Sequence, residues 1–203
     1  MHIEQGTENA QHFVEVMSHE FSLCEKAFDE FFLLVESNIL GKDNYEVLES
    51  LYKNYSSFLT HLYEFYVACF KRDRGNTQNI YYSELDQLLT FEVKKLMSNM
   101  CDLIDSGRAP DWANDISYYQ EQVPEDFGKK FRGVRNNSSH VDVRRASGEG
   151  RPTLKEFMDD YHKFVFFLYD SARSLWSNKK DVPHRVSHVQ EFNFSLGVSK
   201  TDS

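Results

Sequence analysis

The 203-residue chain predicts an all-α protein, an antiparallel bundle of about five helices. Three observations lead there. Apolar residues recur at steps of three and four through four long segments, Gly41, Gly75 and Gly107 fall between the segments, and 40% apolar content with 15% aromatics suffices to fill one core.

The first predicted helix begins at Thr7 and carries Phe13, Met17, Phe21, Cys24, Phe28 and Phe31 on one face before Gly41 stops it. A second follows with Leu48, Leu51, Tyr55, Phe58, Leu62 and Phe65, and ends in the charged KRDRGN stretch at Gly75. The third carries Leu85, Leu89, Val93, Leu96 and Met100, and closes at Gly107 and Pro110. Short loops between long amphipathic helices predict antiparallel packing of all three.

The next stretch is less regular. Asp111 is placed to cap a short helix through Tyr119, Pro124 interrupts, and Phe127, Phe131 and Val134 predict helix resuming toward Arg135. Asn136, Asn137, Ser138 and Ser139 then favour turns over helix interiors, so the helix is expected to fray there into the loop HVDVRRASGEGRP. The last helix restarts behind Pro152, with Thr153 and Glu156 in the capping-box arrangement. Within it FVFFLY, Phe164 to Tyr169, is apolar nearly all round, which predicts a central helix, a dimer interface, or both. Residues 1–178 are thus read as the bundle and 179–203 as a polar tail. In that tail Phe192, Phe194, Leu196 and Val198 alternate as one short strand would.

Charge and composition exclude several classes. With 32 acidic against 23 basic residues the net charge is -9, so any polyanion-binding surface must be local. No apolar run reaches membrane-span or signal-peptide length, so a cytoplasmic protein without membrane contact is expected. Cys24, Cys69 and Cys101 are far apart and each lies beside apolar residues, which reads as buried thiols. No glycine-rich phosphate loop or serine-elbow motif occurs, and neither a metal nor another cofactor is expected.

One stretch departs from the acidic background. Between Lys129 and Arg151 seven basic residues (Lys129, Lys130, Arg132, Arg135, Arg144, Arg145 and Arg151) face only Asp142 and Glu149. Arginines suit two-pronged phosphate contacts, so this patch is the candidate RNA-binding surface. Inside it lie Arg135, Asn136 and His140. Cleavage of RNA without metal needs a group that removes the proton of the ribose 2′-hydroxyl and one that stabilises charge on the phosphorane. Histidine, titrating near pH ~6.5, can do the first and arginine the second. Asn136 would hold the phosphate or orient His140. Five positions along a regular helix turn through about 140°, so a shared face for Arg135 and His140 requires bending, or a second subunit completing the site.

The order of features resembles the HEPN superfamily: an aromatic-spaced helix, then Arg135, Asn136 and His140 near its end, a basic loop, and a last capped helix. The likeness rests on about Phe127 to Trp176. It implies a small helical bundle that acts as a metal-independent endoribonuclease, with Arg135 and His140 catalytic and Asn136 supporting. It also implies homodimers whose motifs face each other, and roles as bacterial toxins of toxin–antitoxin pairs or phage-defence effectors, some held by an antitoxin or other regulatory protein. One branch, paired with a nucleotidyltransferase antitoxin, carries a tyrosine two residues after the histidine; Asp142 stands there in this chain, and Ser139 replaces a common small apolar residue before it.

Other histidines are weaker candidates. His184 and His188 have metal-ligand spacing but follow Pro183, whereas His12, His19 and His61 read as surface or hydrogen-bonded core residues, and Glu20, Glu25 and Asp29 as a solvated helix face. A second class of function also fits the basic loop: a non-catalytic helical module that binds RNA, a nucleotide or a protein partner, with His140 contributing only a hydrogen bond.

Overall fold

A computed structural model describes residues 8–39, 45–75, 77–139 and 152–176, and among these every regular element is helical. The order is α1 (Glu8–Ile39), α2 (Tyr45–Asp73), α3 (Tyr82–Asp105), the single turn α4 (Ile116–Tyr119), α5 (Phe127–Ser139) and α6 (Leu154–Trp176). The all-α bundle expected from the sequence is therefore what the chain forms. No helix among the described residues is long and apolar enough to cross a membrane.

The helix ends follow local chemistry. Gly75 and Gly107 take positive φ values of 59° and 66°, the left-handed conformation that ends a helix without a Cβ penalty. At α6 the capping box is complete: the Glu156 carboxylate accepts from the Thr153 amide at 2.8 Å while the Glu156 amide donates back to Thr153 Oγ1 at 3.2 Å. The cap of α4 is Asp115 rather than Asp111, its Oδ1 accepting from the Ser117 amide at 2.9 Å. Hydrogen bonding from the Ser117 hydroxyl, then from its amide, holds the Asp115 carboxyl below its ordinary range.

Helices α1 and α2 form an antiparallel hairpin, marked by Phe21 on Phe65, the Cys24 thiol on the Phe58 carbonyl, and Phe31 on Tyr55. Helix α6 lies across both, antiparallel to α1 (Phe21 on Tyr169, Phe28 on Phe166) and running the same way as α2 (Tyr55 to His162, Phe65 to Trp176). In the FVFFLY stretch Phe164, Val165, Leu168 and Tyr169 are buried, and only Phe166 reaches the surface appreciably. The segment is thus the central helix of the bundle.

Only the first pair of consecutive long helices packs as expected. Helix α3 packs on α5 and α6, and α5 occupies the place beside α2. Phe131 meets the Tyr63 ring edge-on at 5.4 Å on the α2 side. On the α3 side Gly128 lets two backbones touch, since a Cβ there would lie 2.0 Å from the Asp86 carbonyl oxygen. The Gly128 amide donates to Thr90 Oγ1 at 3.0 Å across the same contact. The fraying expected at Asn136–Ser139 does not occur, for α5 stays helical through Ser139. Asn137 is buried and donates to the Pro152 carbonyl at 3.4 Å, so tertiary packing supplies what the local turn preference would otherwise have taken. The same bond draws together the residues that flank 140–151.

Of the three cysteines expected to be buried, Cys24 is, whereas Cys69 and Cys101 are only partly so. Cys24 is fully enclosed, burial pushes its pKa up, and burial likewise raises Cys69 to about 12; Cys101 is half-buried, and all three are unbridged.

Candidate functional site

Helix α5 carries Lys129, Arg132, Arg135 and Asn136 at steps of three and four, which sets them along one stripe of the helix. Lys129 is exposed, and the other three are partly exposed. Phe127, Phe131 and Val134 occupy the opposite side and are buried, so the apolar spacing read in the sequence is what turns the cations outward. Lys130 lies off the stripe, 3.9 Å from Asp126.

Two of the arginines are gripped by acids from other helices. Arg132 makes a two-pronged contact with Asp86 of α3, Nε to Oδ1 at 2.8 Å and Nη2 to Oδ2 at 2.9 Å. Its guanidinium also lies 4.9 Å from the centre of the Tyr82 ring. The Asp86 carboxylate raises the Arg132 pKa further above its already high value. Arg135 pairs through Nη2 with Glu64 of α2, donates from Nη1 to the Asn136 side-chain oxygen at 3.0 Å, and stands 5.7 Å from the Tyr63 ring centre. Its side chain keeps 28% of its surface accessible, so a ligand can still reach it.

The Tyr63 phenol lies among these four charges. Burial first, then the Asp86 carboxylate, raises its pKa, while Arg132 and Arg135 pull the other way. Tyr63 is therefore a neutral spacer that separates two ion pairs and does not itself titrate near neutral pH.

On the far side of Glu64, α1 and α2 enclose a cleft of about 380 Å³, with His12, Glu20, Glu64 and Lys71 on its walls. The Glu20 carboxylate accepts from His61 Nδ1 at 2.8 Å, so this acid belongs to a pair and not to a bare solvated face. Glu25 lies 4.0 Å from Arg173. Among the described residues no group of three or more histidines, cysteines and carboxylates is placed to hold a metal ion.

Of the residues singled out from the sequence, Arg135, Asn136, Arg132 and Lys129 are brought together. His140, Arg144, Arg145 and Arg151 lie outside the described residues, as do His184, His188 and the alternating Phe192–Val198 stretch. Sequence reasoning missed Glu64, Asp86, Tyr63 and Tyr82. The available signal was that Glu64 falls between the core positions Tyr63 and Phe65, and that Asp86 directly follows buried Leu85; an acid so placed needs a partner. Compared with known proteins, the chain matches no family model, no curated protein and no solved structure.

Proposed function

We propose that this chain is a metal-independent endoribonuclease of HEPN type, working as a homodimer in a bacterial toxin or phage-defence role. His140 acts as general acid and base, Arg135 stabilises the charge that gathers on the phosphorane, and Asn136 positions the phosphate. The observation that carries the reading is the joined pair Arg135 and Asn136, hydrogen-bonded to each other on a helix face that also presents Lys129 and Arg132. Glu64 and Tyr63 hold the Arg135 guanidinium in a set orientation before substrate arrives, which lowers the cost of organising it during the reaction. A phosphodiester reaching the accessible part of Arg135 shares the cation with Glu64.

A second reading is favoured by that same Glu64 contact. An arginine already neutralised by a carboxylate suits a structural or binding role, in which the α5 stripe holds RNA without cutting it.

The two readings separate in one assay. Wild type, Arg135→Ala and His140→Ala are incubated with total RNA and tRNA in EDTA and resolved on a denaturing gel, with circular dichroism to verify folding. The nuclease reading expects cutting by wild type that survives chelation and falls by about a hundredfold or more in both variants. Folded wild type that retains RNA without cutting it supports the binding module instead.

A further inference from the structure

We infer that Tyr82, backed by Arg132, is a stacking platform for one unpaired base of a single-stranded RNA, next along the strand from the phosphate received at Arg135. The identity of the polymer rests on the RNA reading above; the inference adds where the strand is gripped and in what form.

Tyr82 is the first residue of α3, beside the basic stripe of α5, and 65% of its surface is accessible. One face of its ring is taken by the Arg132 guanidinium, and that guanidinium is fixed edge-on by both oxygens of Asp86. With 65% of the residue accessible, ring surface beyond that contact is open to a ligand. An aromatic ring whose orientation is already set by a clamped cation loses little freedom when a base lies on it. The neighbouring Tyr81 is still more exposed, at 79%, so the start of α3 offers a second ring close by.

The acids near the ring, Glu64 included, are each held by an arginine, and the exposed Lys129 adds positive charge on the same stripe. Asp86 is neutralised by Arg132, and Glu84 by Arg74 at 2.5 Å, so the acids of the first turns of α3 are each paired with an arginine. Lys129 and Arg135 lie one helical turn to either side of Arg132, about 4.5 Å of axis each way. A base on Tyr82 therefore has cations before and after it for its flanking phosphates. A duplex cannot use this arrangement, because its bases are stacked on each other and paired, whereas single strands bind through such ring-and-cation surfaces.

The test uses the full chain and fluorescein-labelled 2′-O-methyl oligonucleotides, which lack the free 2′-hydroxyl needed for cutting, so binding is read apart from cleavage. Affinity is measured by anisotropy for oligoadenosine, oligouridine and a duplex of equal length. Wild type is expected to prefer the single strands, and adenine over uracil. Tyr82→Ala weakens single-strand binding by roughly 5- to 100-fold and erases the adenine preference, while Tyr82→Phe stays close to wild type. Lys129→Ala should instead reduce the salt slope by about 0.7 and keep the base preference. Because Tyr82 is exposed, its replacement should leave the thermal midpoint unchanged, which excludes unfolding as the cause. Unchanged single-strand affinity in Tyr82→Ala, or equally tight binding of the duplex, overturns the platform and leaves the nuclease reading standing. Tyr82-dependent binding by a wild type that does not cut unmodified RNA keeps the platform and overturns the nuclease. Failure of wild type to bind any of these RNAs overturns both.

Discussion

Along α2, the side chains of Phe58 and Phe65 meet α1 and α6 ring to ring, with ring centres 5.0 to 5.8 Å from Phe28, Phe21, Tyr169 and Trp176. One step along the same helix, Tyr63 and Glu64 meet α5 through a phenol and a carboxylate set among arginines. The first region removes apolar area from water and so stabilises the fold. The second contains partly exposed ion pairs, which contribute little stability, yet it fixes the direction of two cations. Stability and placement are thus carried by adjacent faces of one helix, and substitutions should affect them separately.

The sharpest separation comes from Phe58→Ala. Deleting a ring with no accessible surface should cost about 3–5 kcal/mol in urea unfolding while the folded fraction keeps its RNA affinity. A loss under about 1 kcal/mol would mean that the ring is not enclosed as described.

Gly128→Ala joins the two regions. The added methyl meets the Asp86 backbone, not a flexible side chain, so α3 and α5 must part, at about 1–3 kcal/mol. Since Arg132 and Tyr82 sit across that contact, RNA affinity should fall with stability; a drop in stability alone would detach the platform from the α3–α5 seam.

His162 tests the polar element inside the apolar region. Burial lowers its pKa below the ordinary 6.5, and its neutral Nδ1 lies 3.0 Å from the Tyr55 hydroxyl. Between the folded pKa and about 6.5 the unfolded chain binds more protons than the native one, so stability rises with pH across that window and is fully present above it. Acidification below about 6.5 should lower the unfolding midpoint of wild type, and His162→Gln should flatten that dependence. Equal slopes in both proteins would assign it to other groups.

The smallest stability effect is expected at the second region itself. Glu64→Gln should cost about 0.2–1 kcal/mol, because both partners are part-exposed, and should strengthen RNA binding by no longer neutralising Arg135. Weaker binding would show instead that Arg135 works only when Glu64 orients it.

Much of the scaffold could be read locally. Phe157, Phe164 and Leu168 are buried as their spacing predicts, Thr153 and Glu156 cap as their separation predicts, and Gly75 and Gly107 end helices where they fall. The polar run at Asn136–Ser139 misled because its turn preference is a matter of tenths of a kcal/mol per residue, easily outweighed by burial of Phe131 and Val134 and by the Asn137 bond to Pro152. At the candidate site the cations were legible as an anomaly in charge. Their acidic partners were not, because Asp86 stands 46 residues from Arg132 and Glu64 stands 71 from Arg135.

The sequence by itself determined where helices lie and which face of each is apolar, because a helix closes its hydrogen bonds within four residues and shows its periodicity to any short window. Tertiary structure decided that α5 rather than α3 lies beside α2, that Glu64 and Asp86 hold the two arginines, and that Tyr82 rests on one of them. Those outcomes depend on how remote surfaces fit, down to the one missing methyl at Gly128 that lets two backbones touch, and no local pattern encodes such a fit.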